Sequence, residues 1–354
     1  MEIYDEEKRL GIFRNVPLGP LITFACGGNA EYFARADTPE SLLELYGYAR
    51  EHGLAVTILG GGSNVLIQDG GVQGLVIRME IMGVVREGMR LTLGAGENWN
   101  EVTACVVSEG LFGIETLAAI PGTVGGAIVQ NIGAYGGEIA EVIESVEVFD
   151  PQTGKRSQLT SDECGFNYRM SIFKKSEGRH LVVLGCVLRL SDVPPPERVL
   201  YPDVENYFKN SHGGVVPSSL TSAQIREAVV AIRAAKLPDW TVLGTAGSYF
   251  KNPVIARAHY EHLKEHYPEL PSFVVPGNNE LVKVPLAWII DRVCGLKGYR
   301  IGPVGIYEKQ AIVLVNYGGA KAADVRNLEY FIVQEVKNKT DILIEREVEV
   351  MGSI

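Results

Sequence analysis

The sequence predicts a protein of the α+β class, with α/β the other arrangement its opening allows. Three observations point there: a strand, a helix and two further strands at the start, a strand-rich middle studded with glycine, and a last third alternating helix with strand. At 354 residues, 46% of them hydrophobic and 21% charged, the chain is long enough for two or three domains with sizeable cores. It is too apolar for intrinsic disorder, and no run approaches the roughly 18 apolar residues of a membrane helix. Met1 to Lys8 is acidic and lacks an apolar h-region, so no secretory signal and a cytoplasmic location are expected. A net charge of −10 without a basic block argues against nucleic acid as partner. Five scattered cysteines (Cys26, Cys105, Cys164, Cys186 and Cys294) have no C-x-x-C spacing and read as reduced, mostly buried thiols. Glycine is the excess: 40 residues with no repeat period, against the ordinary share of ~7%. Such backbone suits loops that approach a ligand closely.

In chain order, Ile22 to Phe24 is strand-like. Thr38 is placed to cap a helix with Pro39 at its first position and Gly53 past its end, and Leu42, Leu45, Tyr46 and Ala49 fall at helical spacing. Leu54 to Leu59 and Gly74 to Met79 are short apolar strands. Leu91 to Leu93, Val146 to Phe149 and Leu181 to Leu190 follow as strands, with a helix near Asn100 to Gly110. Val193 to Pro196 is a stiff extended break. A helix from Ser222 to Lys236 opens on the capping pattern Thr221 to Gln224. Pro285 to Gly295 reads as a helix with Leu286, Ile289, Ile290 and Val293 on one face. Ala311 to Val315 is a buried strand, and Val325, Leu328, Ile332 and Val336 mark a last amphipathic helix. Ile342 to Val350 closes the chain as an alternating strand.

Four patterns bear on chemistry. Gly60-Gly61-Gly62-Ser63-Asn64 follows an apolar strand, and several backbone N–H groups unshielded by Cβ atoms can converge there on an anion such as a pyrophosphate; a plain glycine turn is the other reading. Val65 stands where G-x-G-x-x-G needs its last glycine, so a Rossmann site is unsupported. The second cluster runs from Pro121-Gly122-Thr123 and Gly125-Gly126 to Asn131, Gly133, Ala134 and Tyr135, and two such loops exceed what turns require. Arg169, after Phe166 and Tyr168, suits bidentate grip on a carboxylate, or a surface stack. Ser248 lies in a turn between Gly247 and Tyr249. Along the closing strand Glu345, Glu347 and Glu349 share one face, as solvated carboxylates or with one turned into a cleft. His259, His262 and His266 stand at i, i+3 and i+7 without H-E-x-x-H, a pattern that reads as a solvated helix with no metal. No hydrolytic triad or P-loop is present.

Taken together, GGGSNVL, ETLAAIPGTVGGAIVQNIGAYGGE, FNYR with SIFK, KLPDW, GTAGSYFKNP, AWIID with LKGYRIG, and EREVEV occur in an order that closely resembles the UDP-N-acetylenolpyruvoylglucosamine reductase (MurB) family. The likeness spans about Thr23 to Val350. VLYPDVENYF, with Tyr201, resembles the substrate-covering tyrosine loop of the longer family subtype. The resemblance implies a two-lobed FAD-binding domain of the vanillyl-alcohol-oxidase (PCMH) type plus a C-terminal α+β substrate-binding domain. Lobes are expected at 1–80 and 81–237, the substrate domain at 238–341, and a returning C-terminal strand at 342–354. It implies reduction of UDP-N-acetylglucosamine enolpyruvate to UDP-N-acetylmuramate in peptidoglycan synthesis, with FAD and NADPH as cofactors and a monomeric chain. Ser248 matches the proton donor, and Arg169 and Glu347 the pair that polarises the enolpyruvyl carboxylate. Tyr168, Tyr201, Lys236, Asn252 and Gln310 fall around the UDP-sugar. Gly60, Gly61, Gly62, Ser63, Asn64 and Val65, with the Pro121 to Tyr135 positions named above, fall around FAD.

Two positions depart from the family pattern: Ile22 where Asn is common, and Arg346 where Pro often precedes the glutamate. Alternation is expected to point Arg346 away from the Glu347 face. A flavin-dependent sugar or alcohol oxidase on the same fold is the alternative enzyme. Such oxidases often tether flavin through His or Cys, and neither glycine loop holds one. A nucleotide-sugar-binding regulator on an inactive scaffold would not need Arg169, Ser248 and Glu347 together.

Overall fold

A computed structural model describes residues 2–195, 200–212, 220–275 and 277–353. The readings that fell on Met1, Pro196 and Val199 lie outside the described residues. The chain divides into two compact units, one comprising Met1–Val16, Ala30–Gly62 and Gln73–Ala235, the other Pro17–Asn29, Ser63–Val72 and Lys236–Ile354. The crossing at Ala235 lies beside the expected boundary at 237. Two early segments group with the C-terminal one. Pairing explains this: Val65–Ile67 forms a parallel ladder with Glu349–Met351, and Thr23 and Thr245 exchange backbone and side-chain bonds of 2.9 and 2.6 Å. Such bonds satisfy backbone groups of buried turns that would otherwise stay unpaired.

The first unit contains two sheets over one apolar core. The four-stranded sheet runs in the order Phe13–Pro17, Asn29–Ala36, Val72–Met79, Val56–Leu59. Its last two strands are parallel, and the helix Pro39–Glu51 precedes Val56–Leu59 in the chain. The capping box at that helix forms with Thr38 and Ser41 as partners. The five-stranded antiparallel sheet runs Lys155–Thr160, Ile143–Asp150, Val182–Arg189, Arg90–Gly94, Val84–Glu87. Leu42, Leu45, Leu75, Ile77, Trp99, Val146 and Leu188 belong to the shared core. Helices Pro202–His212 and Ser222–Lys236 bury a smaller cluster of Val204, Phe208, Ile225 and Val229. The capping pattern at Thr221 and Gln224 is made reciprocally, at 2.9 and 3.2 Å.

In the second unit the helix Ala322–Thr340 buries Val325, Leu328, Ile332 and Val336 on one stripe, as their spacing predicts. Small antiparallel sheets form from Arg300–Ile301, Val304–Ile306 and Leu314–Asn316, and from Val254–Ala256, Asn278–Lys283 and Phe273–Val275. None of the described helices is long and apolar enough to cross a membrane.

Three expected elements differ. Ile22 to Phe24 is a buried turn, not a strand; its apolar side chains pack inward without a ladder, while Asn29–Ala36 is the strand. Pro285 to Gly295 is one α-turn, Leu286–Trp288, widening into a π-helix over Ile289–Val293. The closing strand reaches only from Glu349 to Met351. Upstream the alternation survives as burial of Ile342, Ile344 and Val348, while the backbone makes a single bridge, Arg346 to Phe250. All five cysteines are free; burial pushes the thiols of Cys26, Cys164 and Cys186 up to about 12.

Candidate active site

In the first unit the two glycine loops meet backbone to backbone. A Cβ on Gly61 would lie 2.7 Å from Gly122 Cα, and one on Gly60 would lie 3.0 Å from Thr123 Oγ1. The opposite backbone therefore excludes a side chain at Gly61, and one at Gly60 would have to displace the Thr123 hydroxyl. Thr123 Oγ1 is buried and makes no hydrogen bond among the described residues, although Thr123 precedes the helix Val124–Gln130 and is placed to cap it. A buried hydroxyl left over at a glycine-lined cleft fits a ligand with oxygen acceptors, such as a dinucleotide pyrophosphate. Gly125 is buried against Ala95, whereas Gly126 is exposed.

Asn131 stands differently. Its side-chain amide donates to Glu138 Oε2 and Asn167 O, both at 2.9 Å, and its Oδ1 accepts from Ala140 N at 3.2 Å. Fully buried, it shapes the loop from within. Among the described residues, seven non-glycine positions adopt positive φ, and four of them (Ala119, Asn131, Tyr135 and Arg169) lie in or beside these loops. That conformation costs on the order of 1 kcal/mol per residue and gathers where a site demands it.

Arg169 occupies the third position of the tight turn Asn167 to Met170, closed by two backbone bonds of 2.9 Å, with φ of 53°. One Nη2–H donates to Gly133 O at 2.6 Å, and the guanidinium lies 5.3 Å from the Tyr168 ring. Of the two expected readings the stack is the one observed, and the guanidinium is also anchored beside the second glycine loop. A Cβ on Gly133 would come 2.9 Å from Arg169 Nη1. Tyr201 packs edge-on against Tyr135, with centroids 5.6 Å apart, and its carbonyl receives the first N–H groups of the helix Pro202–His212. Burial pushes both hydroxyls above the usual tyrosine range. Arg233 bonds the Tyr135 side chain and donates Nε–H to Ala119 O at 3.2 Å. The sequence reading passed over Arg233; its spacing three residues before Lys236 on one helix was the available signal.

In the second unit, Ser248 is exposed between Gly247, whose φ is 73°, and the fully buried Tyr249. The segment Ser248 to Lys251 bonds two others: Tyr249 N donates to Ile312 O, while Glu347 N donates to Tyr249 O and Lys251 N to Glu345 O, each at 2.9 Å. Ser248 and Glu347 therefore sit on adjoining extended segments. Asn64 donates to Glu347 O at 3.3 Å, and its own carbonyl accepts from Glu349 N at 3.0 Å. Asn252 Oδ1 accepts from Leu286 N at 2.9 Å, which leaves its amide N–H groups for a ligand. Gln310 lies in the turn leading to Val313, and Lys236 ends its helix. Of the three histidines, His259 meets Thr340 O at 2.8 Å, while His262 and His266 stand exposed beside Glu265 with ligand atoms within 4.8 Å.

A glycine-lined loop pair at a mixed sheet defines the class: residues 30–160 match the family model of an FAD binding domain. Residues 238–351 match the C-terminal domain of UDP-N-acetylenolpyruvoylglucosamine reductase. Similar curated proteins with that reductase name include one from Photorhabdus laumondii, 38% identical over 337 residues and covering 94% of both chains. Another, from Paraburkholderia phymatum, is 39% identical over 347 residues, covering 97% of this chain and 98% of that one. The crystal structure of the Thermus caldophilus reductase aligns over 96% of this chain and 98% of its own, at 27% identity and a TM-score of 0.68. The chain belongs to the UDP-N-acetylenolpyruvoylglucosamine reductase family of oxidoreductases.

Proposed function

We propose that this chain reduces UDP-N-acetylglucosamine enolpyruvate to UDP-N-acetylmuramate in the cytoplasm, as a step of peptidoglycan synthesis. The observation that most supports this reading is the match of residues 238–351, which include Ser248 and Glu347, to the reductase C-terminal domain. Gly60 to Val65 and Pro121 to Tyr135 would hold FAD, with Thr123 Oγ1 as a side-chain donor to it. When bound, FAD supplies the hydride, renewed from NADPH.

As the terminal carbon of the enol ether gains that hydride, negative charge develops toward the adjacent carboxylate. Arg169 stabilises the charge through paired N–H donors. Its anchor to Gly133 O fixes the plane of the group. Ser248 delivers a proton to the neighbouring carbon, a general-acid step. Serine is a weak acid, so its value lies in where it is held and in the anion it meets. Glu347, close to a substrate carboxylate, serves best when protonated, since two ionised carboxylates would repel each other. Lys236, Asn252, Gln310, Tyr168 and Tyr201 bind the nucleotide sugar.

Anaerobic visible spectroscopy tests the reading. NADPH bleaches the flavin band of the purified protein, and the enolpyruvyl UDP-sugar restores it faster than oxygen does. A colourless protein, or one reoxidised by oxygen alone, would overturn it.

A further inference from the structure

Arg346, which replaces the common proline, has a defined role in this fold. Its Nη1 donates to both oxygens of Glu329, at 3.0 and 3.3 Å, and its Nε donates to Val348 O at 2.9 Å. The second bond spans Glu347, tying together the backbone on its two sides. Glu329 lies on the helix Ala322–Thr340, is 13% exposed, and also accepts from the Tyr249 hydroxyl at 2.9 Å. Arg326, one turn earlier on the same helix, approaches it at 3.2 Å. One carboxylate thus holds the chain neighbours of both Ser248 and Glu347, Tyr249 on Oε2 and Arg346 across both oxygens.

We propose that Glu329, with Arg346 and Tyr249, is a positioning clamp that sets Ser248 and Glu347 in fixed register for proton delivery. The proposal rests on the reading of Ser248 as proton donor and Glu347 as its companion. The backbone bonds from Glu347 N to Tyr249 O and from Lys251 N to Glu345 O link the two segments but do not fix the tilt of either. Charge-assisted bonds from both segments to one helix carboxylate remove that freedom, since each is directional. Proline at this position would stiffen one segment locally. Arginine instead couples the segment to a helix, and through Glu329 to Tyr249. The clamp touches no substrate; it acts only through its neighbours. Glu329 left no mark in the sequence because its two partners lie 80 residues upstream and 17 residues downstream.

The test separates the two halves of turnover by anaerobic stopped-flow in the full-length flavin-loaded protein. In Glu329→Gln, reoxidation by the enolpyruvyl UDP-sugar slows about 10- to 100-fold, the range expected for a misplacement near 1 Å. Flavin reduction by NADPH stays within about twofold, since no proton is delivered in that half. In a Ser248→Ala background the same substitution adds little, because nothing remains to be positioned. Equal slowing of both halves, or an undiminished effect in the Ser248→Ala background, would overturn the clamp and leave only a structural role. Full-rate reoxidation in Ser248→Ala alone would overturn the reading beneath it instead, and the clamp with it. Tyr249→Phe removes one hydroxyl and reports the same split if Glu329→Gln does not fold.

Discussion

The two units hold their functional groups by opposite means. In the first, the backbone does the holding: glycines pressed against a facing loop, positive φ at Arg169 and Tyr135, and an arginine fixed on a carbonyl oxygen. In the second, side chains do it: Ser248 and Glu347 lie on irregular segments whose neighbours are tied to Glu329. The difference follows from what each half must present. A pyrophosphate is met by N–H groups, so the first loops matter for the Cβ atoms they lack. A proton donor must present a side chain at a set angle, so the second half depends on partners far away in sequence.

The comparison is sharpened most by Ser248→Ala. Reoxidation of the reduced enzyme by the enolpyruvyl UDP-sugar falls about 10²- to 10⁴-fold, the usual contribution of a placed acid, with flavin content unchanged. A variant that also loses flavin would blur the line drawn between the units. Glu7→Gln probes a side-chain network in the first unit that belongs to no loop. The Glu7 carboxylate accepts from Arg14 and from the Tyr48 hydroxyl, and the Arg14 bond holds it below the usual carboxylate range. A depressed folded-state pKa stabilises above the unfolded value of ~4.3 and stops doing so as pH falls through the folded one. The variant is expected to lose about 1–3 kcal/mol near neutral pH. In urea titrations its deficit relative to the parent shrinks below about pH 4, and its flavin content is retained.

Gly61→Ala tests the backbone half directly. Its new methyl would strike Gly122, for a loss of about 1–3 kcal/mol and a reduced ratio of flavin to protein absorbance. Gly47→Ala is the counterpart with the smallest effect. That glycine lies inside the helix Pro39–Glu51 with open space at its Cβ, so alanine raises stability by about 0.5–1 kcal/mol and leaves flavin binding alone. Equal flavin loss from both glycine variants would mean that loop contact is not what the first half depends on.

Helices with local signals were legible from their residues. Thr38 capped one, Thr221 and Gln224 another, and Val325 to Val336 showed its stripe. Elements whose partners are distant were not. Ile22 to Phe24 is apolar because it is buried, and burial without a ladder looks the same as a strand. The closing segment alternates because its even-numbered residues pack inward, although it pairs regularly only from Glu349 to Met351. Asn131 read as a loop residue, and its three hydrogen bonds to Glu138, Asn167 and Ala140 were not visible in local spacing.

By itself the sequence determined the α+β class, the glycine addresses and, through ordered motifs, the residues proposed to carry the chemistry. These are properties of residue type and local spacing: a missing Cβ, a cap, a carboxylate or a hydroxyl. Tertiary structure alone decided that residues 17–29 and 63–72 group with the C-terminal unit, that Thr123 keeps an uncommitted buried hydroxyl, and that Arg346 meets Tyr249 on one carboxylate. Each depends on hydrogen bonds between segments far apart in the chain, and no local preference encodes which distant group will complete a bond.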